Sequence, residues 1–80
     1  MEVKEIFSKV LLELRKEKKL TQARLAEKAE LETNFIGYME RGQRQPSITT
    51  IFKLAKGLEV SPTEIIKRVE QQYSHWYAVC

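Results

Sequence analysis

Residues 21–42 read TQARLAEKAELETNFIGYMERG, and the rest of the chain is interpreted around this stretch. Thr21 precedes a helix-forming run, and its side-chain oxygen is suited to cap the free amides at a helix start. We therefore predict a short helix from Gln22 to about Ala29, a tight turn, and a second helix from Thr33 that ends before Gly42. Two helices joined by a turn of three or four residues form a helix-turn-helix unit.

The apolar positions of this stretch predict which side of the second helix is buried. Ile36 and Met39 are three residues apart, so they share one helical face, and Leu25 and Leu31 are expected to pack beneath it. Ala26 is small enough to let a second helix cross closely. The residues left to face outward are Thr33, Asn34, Gly37 and Tyr38.

Several short segments at fixed spacings carry a family resemblance. They are Thr21-Gln22, Leu25-Ala26, Ala29-x-Leu31, Phe35-Ile36, Glu40-Arg41-Gly42, Pro46-Ser47 and Leu54-Ala55-Lys56. In this combination the chain resembles the helix-turn-helix domain of the phage lambda repressor and Cro family, the Xre-like regulators, over roughly residues 5 to 66. The resemblance implies an all-α, compact five-helix domain in which the second and third helices form the helix-turn-helix.

The resemblance also implies which side chains contact DNA bases. The positions that match are Thr33, Asn34 and Tyr38. Asn34 can pair with adenine through two hydrogen bonds, Thr33 can offer its methyl group to thymine, and Tyr38 can offer its hydroxyl or its ring. Gly37 costs about 1 kcal/mol in a helix interior relative to alanine. We interpret it either as a close approach of the helix backbone to DNA or as a harmless surface substitution.

Contacts to the DNA backbone are expected from both sides of this unit. Gln22 occupies the first turn of its helix, where free amides suit a phosphate oxygen, and the resemblance implies that it holds the DNA backbone; otherwise it is a plain helix former. A polar loop without periodicity supplies Gln43, Arg44 and Gln45 as further candidates, unless it is an ordinary solvated loop. Lys19 lies in a basic segment before Gln22, and such a segment can also be a solvated helix end.

A structural ion pair is implied by the same resemblance. Arg15 matches an arginine of the first helix that pairs with a glutamate matching Glu40, which ties the first helix to the end of the recognition helix. A direct phosphate contact from Arg15 is the alternative. A partly buried pair of this kind fixes orientation more than it adds net stability.

Three residues depart from the family pattern. Glu30 stands where the family usually has glycine, and a positive φ there costs roughly 1 kcal/mol. Glu32 replaces the usual cap of the second helix, so that Thr33 is an alternative cap that moves the helix start by one residue. Phe35 replaces a frequent tyrosine, so a phosphate contact through that hydroxyl is absent.

The flanking segments predict three more helices. Apolar residues at helical spacing indicate a first helix from about Val3 to Lys18. Ser47 is expected to cap a fourth helix that stops at Gly57, and its apolar positions are Ile48, Ile51, Phe52, Leu54 and Ala55. The segment Ser61-Pro62-Thr63-Glu64 has the cap, proline and acidic residue of a fifth helix start.

The fifth helix carries a long apolar stripe. Its surplus over the needs of a small core predicts that residues 61–80 contribute to a self-complementary dimer surface. The candidate residues are Ile66, Val69, Tyr73, Trp76 and Tyr77. The alternative is a monomer whose C-terminal segment packs on its own domain.

Size and composition limit the possible functions. Eighty residues with 42% hydrophobic content predict one domain, residues 1–80, without a separate sensory or catalytic domain. The net charge of +3 permits nucleic-acid binding without demonstrating it. Cys80 alone cannot form an intrachain disulfide, and no apolar run is long enough for a membrane span, so we expect a cytoplasmic protein. His75 and Cys80 form no metal or catalytic site, and we expect no cofactor, no small-molecule ligand and no enzymatic activity.

These observations favour a DNA-binding transcriptional regulator that acts as a homodimer on a palindromic operator, with RNA polymerase as a further partner. The recognition helix is predicted at about residues 33–41. A domain of this size resembles the controller proteins of restriction-modification systems and small phage-type repressors. The alternative is a protein-interaction module, such as an antitoxin or a bridging factor, for which DNA binding is secondary.

Overall fold

A computed structural model describes the backbone of residues 2–79 and the side chains of residues 2–73. Its five α-helices are α1 (Val3–Glu17), α2 (Gln22–Ala29), α3 (Thr33–Glu40), α4 (Ile48–Leu58) and α5 (Pro62–Val79). The predicted all-α, five-helix class is confirmed, and α2 and α3 form the helix-turn-helix. No helix in the described part of the chain combines the length and the apolar character needed to cross a membrane.

Side-chain caps start three of the helices as predicted. In each, the hydroxyl accepts a hydrogen bond from the amide three residues later, at 3.0, 3.1 and 3.2 Å for Thr21, Ser47 and Ser61. The start of α3 differs, because Glu32 occupies the cap position and its side chain makes no capping bond. The alternative in which Thr33 caps this helix is therefore wrong. Packing rather than a side-chain cap must hold the start of α3.

Two glutamates end helices in the left-handed region. Glu30 after α2 and Glu59 after α4 both have a φ of 59°, a conformation that costs a residue with a Cβ about 1 kcal/mol. The positive φ considered for Glu30 is thus present, and that of Glu59 was not anticipated. Each glutamate pairs with a lysine of the other helix: Lys28 lies 2.8 Å from Glu59, and Lys56 lies 3.6 Å from Glu30.

The core lies between all five helices. Its largest fully buried side chains include three of the four that were predicted to hold the helix-turn-helix together, Leu25, Ile36 and Met39. Leu31 is half-buried against this core, and it fills the turn between α2 and α3. The predicted buried face of the helix-turn-helix is confirmed.

The outer side of α4 differs from the prediction. Ile48 and Phe52 were expected among the apolar positions that face the core, but they are 71% and 60% exposed. They lie one helical turn apart on the same side of α4. The other predicted apolar positions, Ile51, Leu54 and Ala55, are buried, and Leu58 is buried with them.

Gly57 lies where α4 touches α2. A Cβ at this position would lie 2.9 Å from Leu25 Cδ1 and 3.0 Å from both the Cβ and the backbone nitrogen of Ala29. The predicted role of Gly57 as a stop signal is therefore wrong, since α4 continues to Leu58. Glycine is present because the two helix backbones approach too closely for any side chain.

Arg68 ties the end of α1 to α5. Its Nη1 and Nη2 donate to the Glu17 carboxylate at 2.7 and 3.0 Å, and its Nε donates to Glu64 at 3.0 Å. The hydrogen bond from Arg68 lowers the pKa of the Glu17 carboxyl below its ordinary value. Since Glu17 ends α1, this two-bond contact joins the end of α1 to α5 at the surface.

We expect Gly57→Ala to destabilise the fold by roughly 1 to 3 kcal/mol, because the added methyl group overpacks the contact between α2 and α4. Helix propensity alone gives the opposite sign, since alanine is favoured by about 1 kcal/mol in a helix interior. Gly37→Ala is the matched control, because the nearest atom there is the flexible end of Arg41 at 3.1 Å. Urea unfolding followed by circular dichroism measures both variants. A Gly57→Ala protein as stable as Gly37→Ala would contradict the close-approach argument.

We expect Glu17→Gln to remove a pH-dependent part of the stability. The folded pKa of Glu17 is lowered, so its contribution is present above the unfolded pKa, about 4.3, and is lost as pH falls through the folded pKa. The free energies of unfolding of wild type and Glu17→Gln should therefore differ at pH 7 and converge in acid. Glu13→Gln, an exposed change on the same helix, is the control. A constant difference between wild type and Glu17→Gln at every pH would refute the assignment to this carboxylate.

Candidate nucleic-acid interface

The exposed face of α3 is polar. Thr33 and Asn34 are exposed and Tyr38 is 41% exposed. The reason is the position of Ile36 and Met39, which are fully buried and turn the opposite side of the helix outward. The predicted exposure of these three side chains is confirmed, and their contacts with DNA bases remain a prediction.

Gly37 does not lie on the exposed surface, contrary to the prediction. The Arg41 side chain covers it, since a Cβ on Gly37 would lie 3.1 Å from Arg41 Nη1 and 3.8 Å from Arg41 Cζ. The side-chain oxygen of Gln22 approaches the same point, at 3.7 Å. The absence of a side chain at Gly37 therefore makes room for two neighbouring side chains of the protein itself.

Gln22 is held in one orientation at the start of α2. Its Nε2 donates to Glu40 Oε1 at 2.8 Å, and its side chain is half-buried. One hydrogen of the Gln22 amide group is therefore used inside the protein, and the second remains for another acceptor. The backbone amides of Gln22 and Ala23 are the first two of the helix and have no intrahelical acceptor. This helix start is consequently suited to a phosphate oxygen.

Arg15 and Glu40 form the predicted ion pair. Arg15 Nε donates to Glu40 Oε2 at 2.6 Å and Arg15 Nη2 donates to Glu40 Oε1 at 3.1 Å. Arg15 Nη1 also donates to the backbone oxygen of Leu20 at 2.8 Å. All three nitrogens of the guanidinium are thus engaged by the protein, which disfavours the alternative of a direct phosphate contact. The pair joins α1 to the end of α3.

The loop after α3 carries exposed polar side chains. Gln43, Arg44 and Gln45 are all exposed, and Gly42 makes the turn out of the helix with a φ of 73°. The guanidinium carbon of Arg44 lies 5.8 Å from the centre of the Tyr38 ring. This loop therefore lies beside the exposed face of α3, as a segment that follows a DNA backbone must.

Lys19 lies in the turn between α1 and α2. It is exposed, and it adopts a φ of 57° in the turn that ends α1. Its backbone amide donates to the Lys16 carbonyl at 3.0 Å, so the turn is fixed while the side chain is free to extend. Lys19 remains a candidate for a phosphate contact.

A shallow cleft brings the two helices of the motif together. It has a volume of about 180 Å³ and is lined by Gln22, Thr33, Asn34, Gly37, Tyr38 and Arg41. The cleft thus brings Gln22, the candidate for a phosphate contact, close to the α3 side chains that are candidates for base contacts. Arg41 was not among the predicted site residues, because within the segment Glu40-Arg41-Gly42 only Glu40 was given a side-chain role, as the partner of Arg15. Two features of the sequence could have indicated this role of Arg41: its long side chain, and the glycine at position 37, four residues earlier.

The residues predicted to form a dimer interface separate into three groups. Ile66 is 46% exposed and remains available, whereas Val69 is 9% exposed and belongs to the core. Tyr73 is half-buried against that core. Val69 therefore packs mainly inside the monomer, and its part in a dimer interface stays a prediction. Trp76 and Tyr77 lie outside the residues whose side chains are described.

Other kinds of site find little support in the described residues. Among them, no group of three histidine, cysteine, aspartate or glutamate side chains is arranged to hold a metal ion. His75 and Cys80 lie outside the described side chains.

Comparison with known proteins identifies the family of this chain. The helix-turn-helix family model matches residues 11–65. Control protein C.SmaI from Serratia marcescens is 34% identical over 68 residues, which is 85% of this chain and 81% of that protein.

Two solved structures of controller proteins are also similar. The restriction-modification controller protein C.AhdI from Aeromonas hydrophila has 40% identity, covers 78% of this chain and 94% of its own, and superposes with a TM-score of 0.75. The C.Esp1396I controller, solved as a tetramer in complex with its natural 35 base-pair operator, has 31% identity, covers 89% of this chain and 93% of its own, and gives a TM-score of 0.82. The resemblance seen in the sequence is confirmed, and the chain belongs to the helix-turn-helix family of lambda-repressor-like, Xre-type domains.

Proposed function

We propose that this protein is a homodimeric, sequence-specific regulator of transcription that places α3 in the major groove of double-stranded DNA. One observation supports this proposal above the others. The polar face of α3 and the start of α2 meet in a single exposed cleft, while the other side of α3 is buried. A helix-turn-helix presents its second helix to the major groove in this way.

The side chains divide by their position around the cleft. Thr33 and Asn34, at the N-terminal end of α3, are placed to contact base edges, with Tyr38 one turn further on. Contacts with phosphates come from the periphery, through Gln22, Lys19 and the loop residues Gln43, Arg44 and Gln45. The peripheral contacts supply affinity that depends on salt, and the central ones supply sequence discrimination.

A dimer matches this mode of binding. The C.Esp1396I relative was solved as a tetramer on its operator, which supports assembly of this chain on DNA. Two copies related by a two-fold axis would place their recognition helices in successive major grooves, about 34 to 36 Å apart. The operator should then be palindromic.

The exposed apolar residues of α4 and α5 are the surface that we assign to the dimer. Ile48, Phe52 and Ile66 are all more than two-fifths exposed. Beside them lies a groove of about 120 Å³, lined mainly by apolar side chains that include Val3, Pro46, Ile51, Ile66 and Val69. A projecting phenylalanine next to an apolar groove suits an isologous contact, in which each copy fills the groove of the other. We call Ile48, Phe52 and Ile66 the apolar face.

Regulation then follows from binding. A bound dimer excludes other proteins from its operator or contacts RNA polymerase beside it, in the cytoplasm where bacterial DNA lies. No catalytic step is needed, and the residues of the cleft include no nucleophile paired with a base. We assign residues 1–80 to one domain that both binds DNA and forms the dimer.

The competing function is a protein-interaction module. The apolar face favours it, because the same exposed side chains can bind a different protein. The two functions differ in the free state of the protein: a regulator of the proposed kind dimerises alone, and an interaction module needs its partner.

Asn34→Ala should weaken binding to the preferred operator by about 1 to 3 kcal/mol and relax one base position, because a bidentate contact with adenine is lost. The operator is first selected from a random DNA pool, and affinities are then measured by fluorescence anisotropy. Gln72→Ala, an exposed change on α5, is the control and should change nothing. An Asn34→Ala protein that loses the same affinity for selected and random DNA would show that Asn34 does not read bases.

Phe52→Lys should convert the dimer to a monomer, because an ammonium group cannot enter an apolar interface without a large desolvation cost. The fold should survive, since Phe52 is 60% exposed. Sedimentation at micromolar concentration gives the oligomeric state, with Lys53→Gln as the neighbouring control. A wild type that sediments as a monomer would favour the interaction module, and a dimeric Phe52→Lys protein would place the interface elsewhere.

A further inference from the structure

The Arg41 side chain lies along the exposed face of α3. Arg41 follows the last residue of this helix, yet its Nη1 atom lies above Gly37, one helical turn back. Long side chains at helical positions point towards the N-terminus in this way. A side chain at position 37 would occupy this path, because even a Cβ there would approach Nη1 to 3.1 Å. The guanidinium is thereby delivered to the cleft that Thr33 and Asn34 line.

The Tyr38 ring supports the Arg41 guanidinium in this position. The central carbon of the Arg41 guanidinium lies 5.2 Å from the ring centre, within the range of about 6 Å for a cation–π contact. A stacked guanidinium keeps its in-plane N–H groups free for other acceptors. The contact therefore restricts the conformations of Arg41 without consuming its hydrogen-bond donors.

Most N–H groups of the Arg41 guanidinium have no acceptor in the described part of the protein. Within the described part of the chain, its side chain makes one hydrogen bond, from Nε to Gln43 Oε1 at 3.3 Å. By contrast, Arg15, Arg24 and Arg68 each form an ion pair with a glutamate. Among the described residues no carboxylate pairs with Arg41, so both terminal nitrogens and a full positive charge face the cleft.

We propose that Arg41 is a specificity-determining residue that reads a guanine base in the major groove. This inference rests on the proposed function. The two terminal nitrogens would donate to guanine O6 and N7, which is the commonest specific contact between a side chain and a base. Tyr38 is then a positioning residue that holds Arg41, in place of the direct base contact predicted for it. Gly37 leaves the path of Arg41 open.

Arg41 lies beside candidates for both kinds of DNA contact. It lines the same cleft as Thr33 and Asn34, the two candidates for base contacts, and as Gln22, a candidate for a phosphate contact. The planar, restrained fork matches the O6 and N7 edge of guanine. The same fork matches the oxygens of a phosphate, so the comparison of Arg41→Lys with Arg41→Ala on single-base variants decides between the two.

The first test compares Arg41→Lys with Arg41→Ala. The selected operator is prepared with each guanine in turn replaced, and affinities are measured for the whole set and for random DNA. Arg41→Lys keeps the charge and loses the fork, so it should bind random DNA like wild type and lose roughly 5- to 150-fold of its preference for guanine at one position. Arg41→Ala should lose the same preference and also bind random DNA more weakly.

The second test uses two Tyr38 variants, one that keeps the aromatic ring and one that removes it. Tyr38→Phe keeps the ring, so it should retain the preference for guanine at the position identified with Arg41. Tyr38→Leu removes the ring and should lower that preference at the same position and at no other. In the Arg41→Ala background, Tyr38→Leu should have little further effect, because the two residues act as a unit. Loss of preference in Tyr38→Phe would instead show that the Tyr38 hydroxyl reads the base.

The outcomes separate this inference from the proposed function. If wild type selects no sequence from the random pool, the proposed function itself fails. If wild type selects an operator and Arg41→Lys discriminates among bases as well as wild type does, Arg41 provides only charge and the inference is wrong. Loss of guanine preference at a single position in Arg41→Lys and Tyr38→Leu, with retention in Tyr38→Phe, supports it.

Discussion

The Glu40 carboxylate is the group on which the geometry of the DNA-facing surface depends. It belongs to α3, accepts two hydrogen bonds from Arg15 of α1 and accepts a third from Gln22 of α2. Its side chain is 5% exposed. Removing a partner from a buried charge costs several kcal/mol, because the charge is left without compensation. One side chain therefore fixes three helices in a single arrangement and also fixes the direction in which the Gln22 amide points.

The recognition helix depends on its surroundings for stability as well as for orientation. With eight residues and no side-chain cap, α3 is shorter than a helix that is stable alone in water, which needs about 12 to 15 residues. Ile36 and Met39 supply the missing stability by burial. The polar face of α3 can therefore be devoted to recognition, since the opposite face and the Glu40 network hold the helix in place.

Local sequence patterns predicted the helices. The differences between the predicted and the observed burial arose from side-chain directions and from contacts between helices. Hydroxyl caps and apolar spacing act within a few residues, so the helix-turn-helix and its buried face were predictable. The burial of Gly37 depends on the direction of the Arg41 side chain, which helical spacing does not reveal. Phe52 and Val69 likewise both lie in apolar patterns. Which of them is covered depends on how α4 and α5 cross, and that crossing is a property of the whole fold.

The left-handed glutamates that end α2 and α4 have a consequence for how this domain tolerates change. Glycine is the residue that such a backbone conformation favours, and Glu30 and Glu59 give up that advantage. Neither lines the cleft between α2 and α3. Natural proteins commonly remain below the highest stability that their fold allows. Here the stability that glycine could add lies at positions apart from the recognition surface. Changes in thermal stability and changes in operator preference can therefore evolve separately.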